Sequence, residues 1–209
     1  MESQARGGTR WRRFGLVMVP SVAATAAIGV ALAQGALAAS FAVSGQEFKV
    51  RVDHLVGEGF VQYGTVIQHH DDEYRPVVVS AFDHATINDL CQSVVIPVPF
   101  GIGDVTLRIG AGSDPDNPVV AENLFIDLEQ LNADATFENI DIGVAAGTAL
   151  EDGPTPPAGE RVNPGSFAQQ AERAILSDVE QVAWATSAGS FKLSDLSLSL
   201  SRGTDNECF

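Results

Sequence analysis

From residue 48 onward the chain alternates apolar and polar positions with a period of two. Phe48, Val50 and Val52 are separated by Lys49 and Arg51. Val105, Leu107 and Ile109 are separated by Thr106 and Arg108, and Leu196, Leu198 and Leu200 by Ser197 and Ser199. In an extended chain successive side chains point to opposite faces, so each run predicts a strand with one apolar and one wet face. Sheets of this kind are antiparallel or solenoidal, because buried parallel strands read as continuous apolar runs. The phase of the alternation changes along the chain. Leu124, Ile126 and Leu128 hold even positions, Leu131, Ala133, Ala135 and Phe137 odd ones, and Ile140, Ile142 and Val144 even ones again. The changes fall at Glu129-Gln130 and Glu138-Asn139, with another at Ser194-Asp195. Two-residue hairpins favour glycine because their turns need positive φ. None of these pairs contains one, so the steps predict bulges, corners or bends within a continuing sheet.

The expected fold is therefore mainly β: a curved, one-sided sheet (a β-groove, solenoid-like or sandwich) with at most one short helix. An echo of the pattern Asp-aliphatic-x-Gln at Asp89–Gln92, Asp127–Gln130 and Asp178–Gln181 fits repeated β units, but the copies are unevenly spaced and set no fixed repeat. Segments 110–118 and 147–166 are rich in Gly, Pro, Asp and Asn and read as loops. Phe167 to Asp178 is the place for the short helix, with Asn163 as cap and Pro164 at its first position.

The N-terminus departs from this pattern. Arg6, Arg10, Arg12 and Arg13 precede an apolar stretch from Phe14 to Ala33, and Ala36-Leu37-Ala38 is a small-x-small exit. This order reads as a secretory signal over residues 1–38, cleaved near Ala38, before a single exported domain over 39–209. A retained anchor is the other reading, since about 20 apolar residues can span a bilayer. Gly15 stands where a twin-arginine motif wants an apolar residue.

Export changes the charge balance. The whole chain has 12 basic and 27 acidic residues; without the leader's four arginines and Glu2, 8 basic and 26 acidic remain, a net charge of −18. Such a surface disfavours nucleic acid and anionic membranes as partners. Outside the cytoplasm the two cysteines, Cys91 and Cys208, are expected to pair, tying the C-terminus to the body.

Candidate chemistry is sparse. No Gly-x-Ser-x-Gly elbow occurs. The histidines are His54, His69, His70 and His84. His84 is the candidate general base, with Asp83 beside it and Ser80 four residues away, although neighbours on a strand point apart and Asp83 would not orient it there; an ordinary strand or loop histidine is the other reading. His69-His70-Asp71-Asp72 lacks the spacing with which ligands converge on one ion. Asp114-x-Asp116-Asn117 lacks the glycine and distal glutamate of a calcium loop. No metal and no cofactor is expected. Phe125, Phe137, Trp184 and Phe191 are the candidate ligand contacts, because a concave apolar sheet face makes a trough for an acyl chain or sterol. The same face could instead be a closed core.

Trp11-Arg12-Arg13-Phe14, Val19 to Phe41, Ala121 to Gly147 and Phe167 to Leu193 resemble small secreted actinobacterial proteins filed as a domain of unknown function, some labelled cholesterol esterase. The resemblance implies export, a shared β-rich fold and hydrolysis of steryl esters. The strand pattern of Ala121–Val144 and Ser190–Leu200 is also similar to that of lipid-carrying β-grooves, which implies a non-catalytic lipid binder. The expected partner is a lipid or sterol, with loose association with the outer cell envelope; a structural envelope protein is the remaining alternative.

Overall fold

The computed structural model describes residues 45–68, 73–99, 103–151, 153–157 and 159–209. The leader and His69-His70-Asp71-Asp72 lie outside the described residues.

The strands are β1 (Phe48–Gln68), β2 (Tyr74–Asn88), β3 (Leu90–Val98), β4 (Gly103–Ala111), β5 (Val119–Glu138), β6 (Asp141–Ala145), β7 (Phe167–Ser187), β8 (Ser190–Lys192) and β9 (Ser197–Arg202). A single-turn helix, α1 (Ala146–Ala149), is the one helix among the described residues. All pairings are antiparallel, in the order β6-β7-β5-β2-β1-β3-β4-β9. β7 also pairs with β1 from Phe48↔Ala183 to Tyr63↔Ala168, so β1, β2, β5 and β7 form a hydrogen-bonded ring. The ring is steeply staggered. One row of facing residues runs Glu122–His84–Glu58–Arg173–Glu138, beginning and ending on β5 with its two β5 members sixteen positions apart.

The phase changes are corners. The residues facing the ring interior step by two and then by three: Val50, Val52, Leu55, Phe60 on β1; Val119, Ala121, Leu124, Ile126, Leu128 on β5; Ala171, Ala174, Leu176, Val179 on β7. Many three-residue steps carry a left-handed residue just before the next inward one: Gly59, Asp89, Asn123, Asn139 and Asp178. Asn and Asp tolerate that conformation because their side chains bond the local backbone. The corners align across strands, since Asp83 and Gly59 occupy neighbouring positions at the break in the β1–β2 ladder. A methyl group on Gly59 would lie 2.1 Å from the Asp83 carboxylate. The predicted steps at Glu138-Asn139 and Ser194-Asp195 have left-handed Asn139 and Asp195, and that at Glu129-Gln130 is a register shift between Leu128 and Gln130.

Phe167 to Asp178 is strand, not helix. Its buried residues Ala168, Ala171 and Ala174 imitate a helical stripe by falling three apart, yet Ala168 packs on the outer face and Ala171 and Ala174 on the inner one, the last two separated by a corner. Asn163 does not cap a helix. Its Oδ1 accepts from the Gly165 N–H and its carbonyl from the Ser166 N–H, closing a turn before β7.

The ring carries an apolar cluster on each face. Inside lies the cluster of Val52, Leu55, Phe60, Phe82, Leu124 and Leu176. Outside, Val61, Tyr63, Val79, Phe125 and Trp184 pack under α1 and the segment that follows it. Hydrogen bonds pin this strap: Asn123 and Thr155 exchange two at 2.9 Å, and Tyr63 OH donates to Glu160.

Candidate ligand site: an apolar cavity and an open apolar flap

A cavity of about 170 Å³ lies on the inner face of the ring. Leu55, Phe60, Phe82, Ile126, Leu128, Leu131, Phe137, Leu176 and Val179 make its apolar wall, and Ala133 and Ala135 leave the room for it. Phe60 packs tilted against Phe82 and Phe137, with ring centroids 5.4 and 5.1 Å away. Gln62, Ser80 and Gln181 add polar groups. Gln62 Nε2 donates to Ser80 Oγ at 2.7 Å, and Gln62 Oε1 accepts from Gln169 Nε2. None of the lining residues is charged, so the site suits an uncharged, largely hydrocarbon group. Typical small-molecule sites run to about 300–1,000 Å³ and an apolar cavity of about 150 Å³ takes a benzene; this cavity therefore matches a slender chain segment and not a fused-ring body.

The inner face continues beyond the ring. Val50 faces Gln92, which faces Ile109, which faces Leu198; Val94 faces Leu107, which faces Leu200. Directly opposed residues share a face, so the apolar side of the β3–β4–β9 flap extends the ring interior. Within the described residues no strand or helix crosses this side, and Leu198 and Leu200 are 65% and 64% exposed. The predicted alternation of β9 holds, but its leucines stand in the open.

The opposite, polar side of the flap is the covered one. Thr106 and Ser93 are buried there under the C-terminal tail. Thr106 Oγ1 donates to the Gly203 carbonyl at 2.6 Å, and the Cys208 N–H donates to Ser93 Oγ at 3.0 Å. Cys91 and Cys208 form the expected disulfide, with Cα atoms 5.8 Å apart. Lys49 Nζ reaches Glu207 at 3.0 Å and the Phe209 carbonyl at 3.0 Å.

The structure separates the residues singled out from the sequence. Phe137 lines the cavity. Phe125 and Trp184 sit on the other face of the sheet, beneath the strap, with the Arg75 guanidinium 4.8 Å from the Trp184 ring centre. Phe191 is exposed on β8. His84 lies in the charged corner row, its Nε2 3.7 Å from Glu122, while Ser80 is buried and bonded to Gln62. His54 Nδ1 is 3.2 Å from Ser177 Oγ at another corner. Asp114 Oδ1 accepts from the Asp116 N–H, a local turn. No group of three metal-binding side chains occurs among the described residues. Gln62, Ser80 and Gln181 went unnoticed in the sequence. They are polar residues at inward positions, visible only once the two-then-three stepping is known.

Half-buried carboxylates cluster under the strap. Burial lifts Glu160 to about 7, with Asp127 adding to the rise and the Tyr63 hydroxyl opposing it. Burial also lifts Asp127 to about 6. Tyr63 is pushed above its ordinary range, first by burial and then by Glu160.

A model of a protein family of unknown function, DUF6230, matches residues 44–209. No curated protein and no solved structure matches the chain.

Proposed function

The chain belongs to the DUF6230 family, and from that premise and the geometry above we propose that it is an exported, non-catalytic lipid-binding protein that holds a slender apolar chain. The observation that carries this reading is the continuity of one apolar face, from the uncharged cavity in the ring onto the flap of β3, β4 and β9, where Leu198 and Leu200 are exposed. A cavity of about 170 Å³ takes the tail of a lipid. The flap offers the bulkier remainder, a sterol nucleus included, a surface outside. A lipid ligand also suits the likeness to secreted proteins labelled cholesterol esterase. Binding is preferred to hydrolysis because His84 meets Glu122 at an outer corner while Ser80 faces inward onto Gln62.

The test is displacement of a fluorescent long-chain acyl probe from the purified protein, with native mass spectrometry for co-purified lipid. Filling the cavity with Ala133→Phe is expected to weaken probe binding at least about tenfold, equivalent to about 1.4 kcal/mol, with the thermal midpoint nearly kept. Unchanged affinity in that variant would remove the cavity from the proposal. Turnover of a cholesteryl ester that vanishes in His84→Ala would replace binding by hydrolysis.

A further inference from the structure

β9 ends the strand order. Ser197–Arg202 pairs with β4 on one side, and among the described residues no strand pairs with its other side. Free edges of this kind are usually guarded by proline, lysine, inward charges, bulges or a covering segment, since a bare row of N–H and C=O groups recruits other strands. The sequence Ser-Leu-Ser-Leu-Ser-Arg holds no proline, lysine or acid, and its two leucines are exposed. It is also nearly symmetric about Ser199: Leu198 mirrors Leu200, and Ser197 mirrors Ser201.

We propose that this edge pairs with β9 of a second copy of the chain, antiparallel, about a two-fold axis through Ser199. In that register Leu198 of each copy stands opposite Leu200 of the other, and the serines meet on the reverse face. Arg202 of each copy stands opposite Leu196 of the other, one residue from Asp195, so opposite charges meet at both ends of the new ladder. Charge singles out this edge. The chain carries a net −15, which makes two copies repel over most of their surfaces. β9 bears one charge, the cation Arg202. Pairing would join the two flaps into one wider apolar surface.

The experiment is light scattering on the purified protein across a dilution series, together with cysteine cross-linking under mild oxidation. The expected mass is twice that of one chain. Ser199→Cys is expected to give a disulfide-linked dimer in high yield, because residues facing each other on the two-fold bring their Cβ atoms within bridging distance. Ser201→Cys is expected to give almost none, since its two copies lie about four residues apart along the ladder. Leu200→Lys should leave a monomer with an unchanged circular dichroism spectrum. A monomeric native protein overturns the proposal. So does equal cross-linking at positions 199 and 201, and so does a monomer that uses these leucines to bind neutral phosphatidylcholine vesicles.

Discussion

The ring of β1, β2, β5 and β7 and the flap of β3, β4 and β9 use the same kind of alternating strand and cover it in opposite ways. In the ring each face carries a buried apolar cluster, one enclosed by the strands closing on themselves and one covered by the strap. In the flap the tail hides Ser93 and Thr106 on the polar face, while Leu198 and Leu200 stand exposed on the apolar one. The ring is held by side-chain packing. The flap is held by backbone pairing with β1 and by a tail fastened with a disulfide and a few hydrogen bonds. Alternation fixes which residues share a face. Which face is covered depends on what the rest of the chain lays over it.

Four variants sharpen this contrast. The largest effect is expected in the ring. Phe82→Ala removes a ring packed against Phe60 and opens a void beside an existing cavity. It should lower unfolding free energy by about 3–5 kcal/mol in urea titration; a loss below about 1 kcal/mol would mean that the ring collapses easily. Next comes the bridge. Replacing Cys91 and Cys208 together by alanine should cost about 2–4 kcal/mol. Hydrogen exchange should locate the loss in β4 and β9 and leave β1 and β7 protected; uniform loss across the sheet would show that ring and flap unfold as one.

The third effect belongs to the strap. Folding lifts Glu160 to about 7 and Asp127 to about 6, so the folded state holds protons that the unfolded chain has released. Stability from these protons is complete below the unfolded values and is lost as pH rises toward about 7. From about pH 5 to about pH 8 the urea midpoint should fall by the equivalent of about 1–2 kcal/mol, after allowance for solvent screening of partly exposed carboxyls. Glu160→Gln should flatten most of that slope, and an unaltered slope would place its source elsewhere. The smallest effect is expected on the flap: in protein dilute enough to be monomeric, Leu198→Ser should change the thermal unfolding free energy by less than about 0.5 kcal/mol, because a side chain 65% exposed in the single chain has little burial to lose. A large loss there would show that the face is covered after all.

Much of the fold could be read from the residues. The strands at Phe48–Val52, Val105–Ile109 and Ser197–Leu200 follow from alternation, and the glycine-free phase changes mark bends. The closure of β7 onto β1 could not be read, because it depends on register between segments more than a hundred residues apart. The helix expected at Phe167 failed for the reason that makes the fold unusual: a strand that turns corners borrows the three-residue spacing of a helix. Two of the three Asp-aliphatic echoes, at Asp89 and Asp178, mark left-handed corners, whereas Asp127 is a half-buried acid near Tyr63. Of the four aromatic residues singled out, Phe137 lines the cavity, Phe125 and Trp184 pack beneath the strap and Phe191 stands on β8, while the polar groups that line the cavity have no signature outside the corner pattern.

The disulfide joins positions 117 residues apart, one in the middle of the chain and one near its end. At about 5–20 residues per second, roughly 6 to 23 seconds separate the synthesis of the two thiols. Through that interval the nascent chain carries an unmatched Cys91, open to any passing oxidant or neighbouring thiol. The yield of folded protein should therefore respond to the redox conditions met during those seconds more than to the stability of the finished fold.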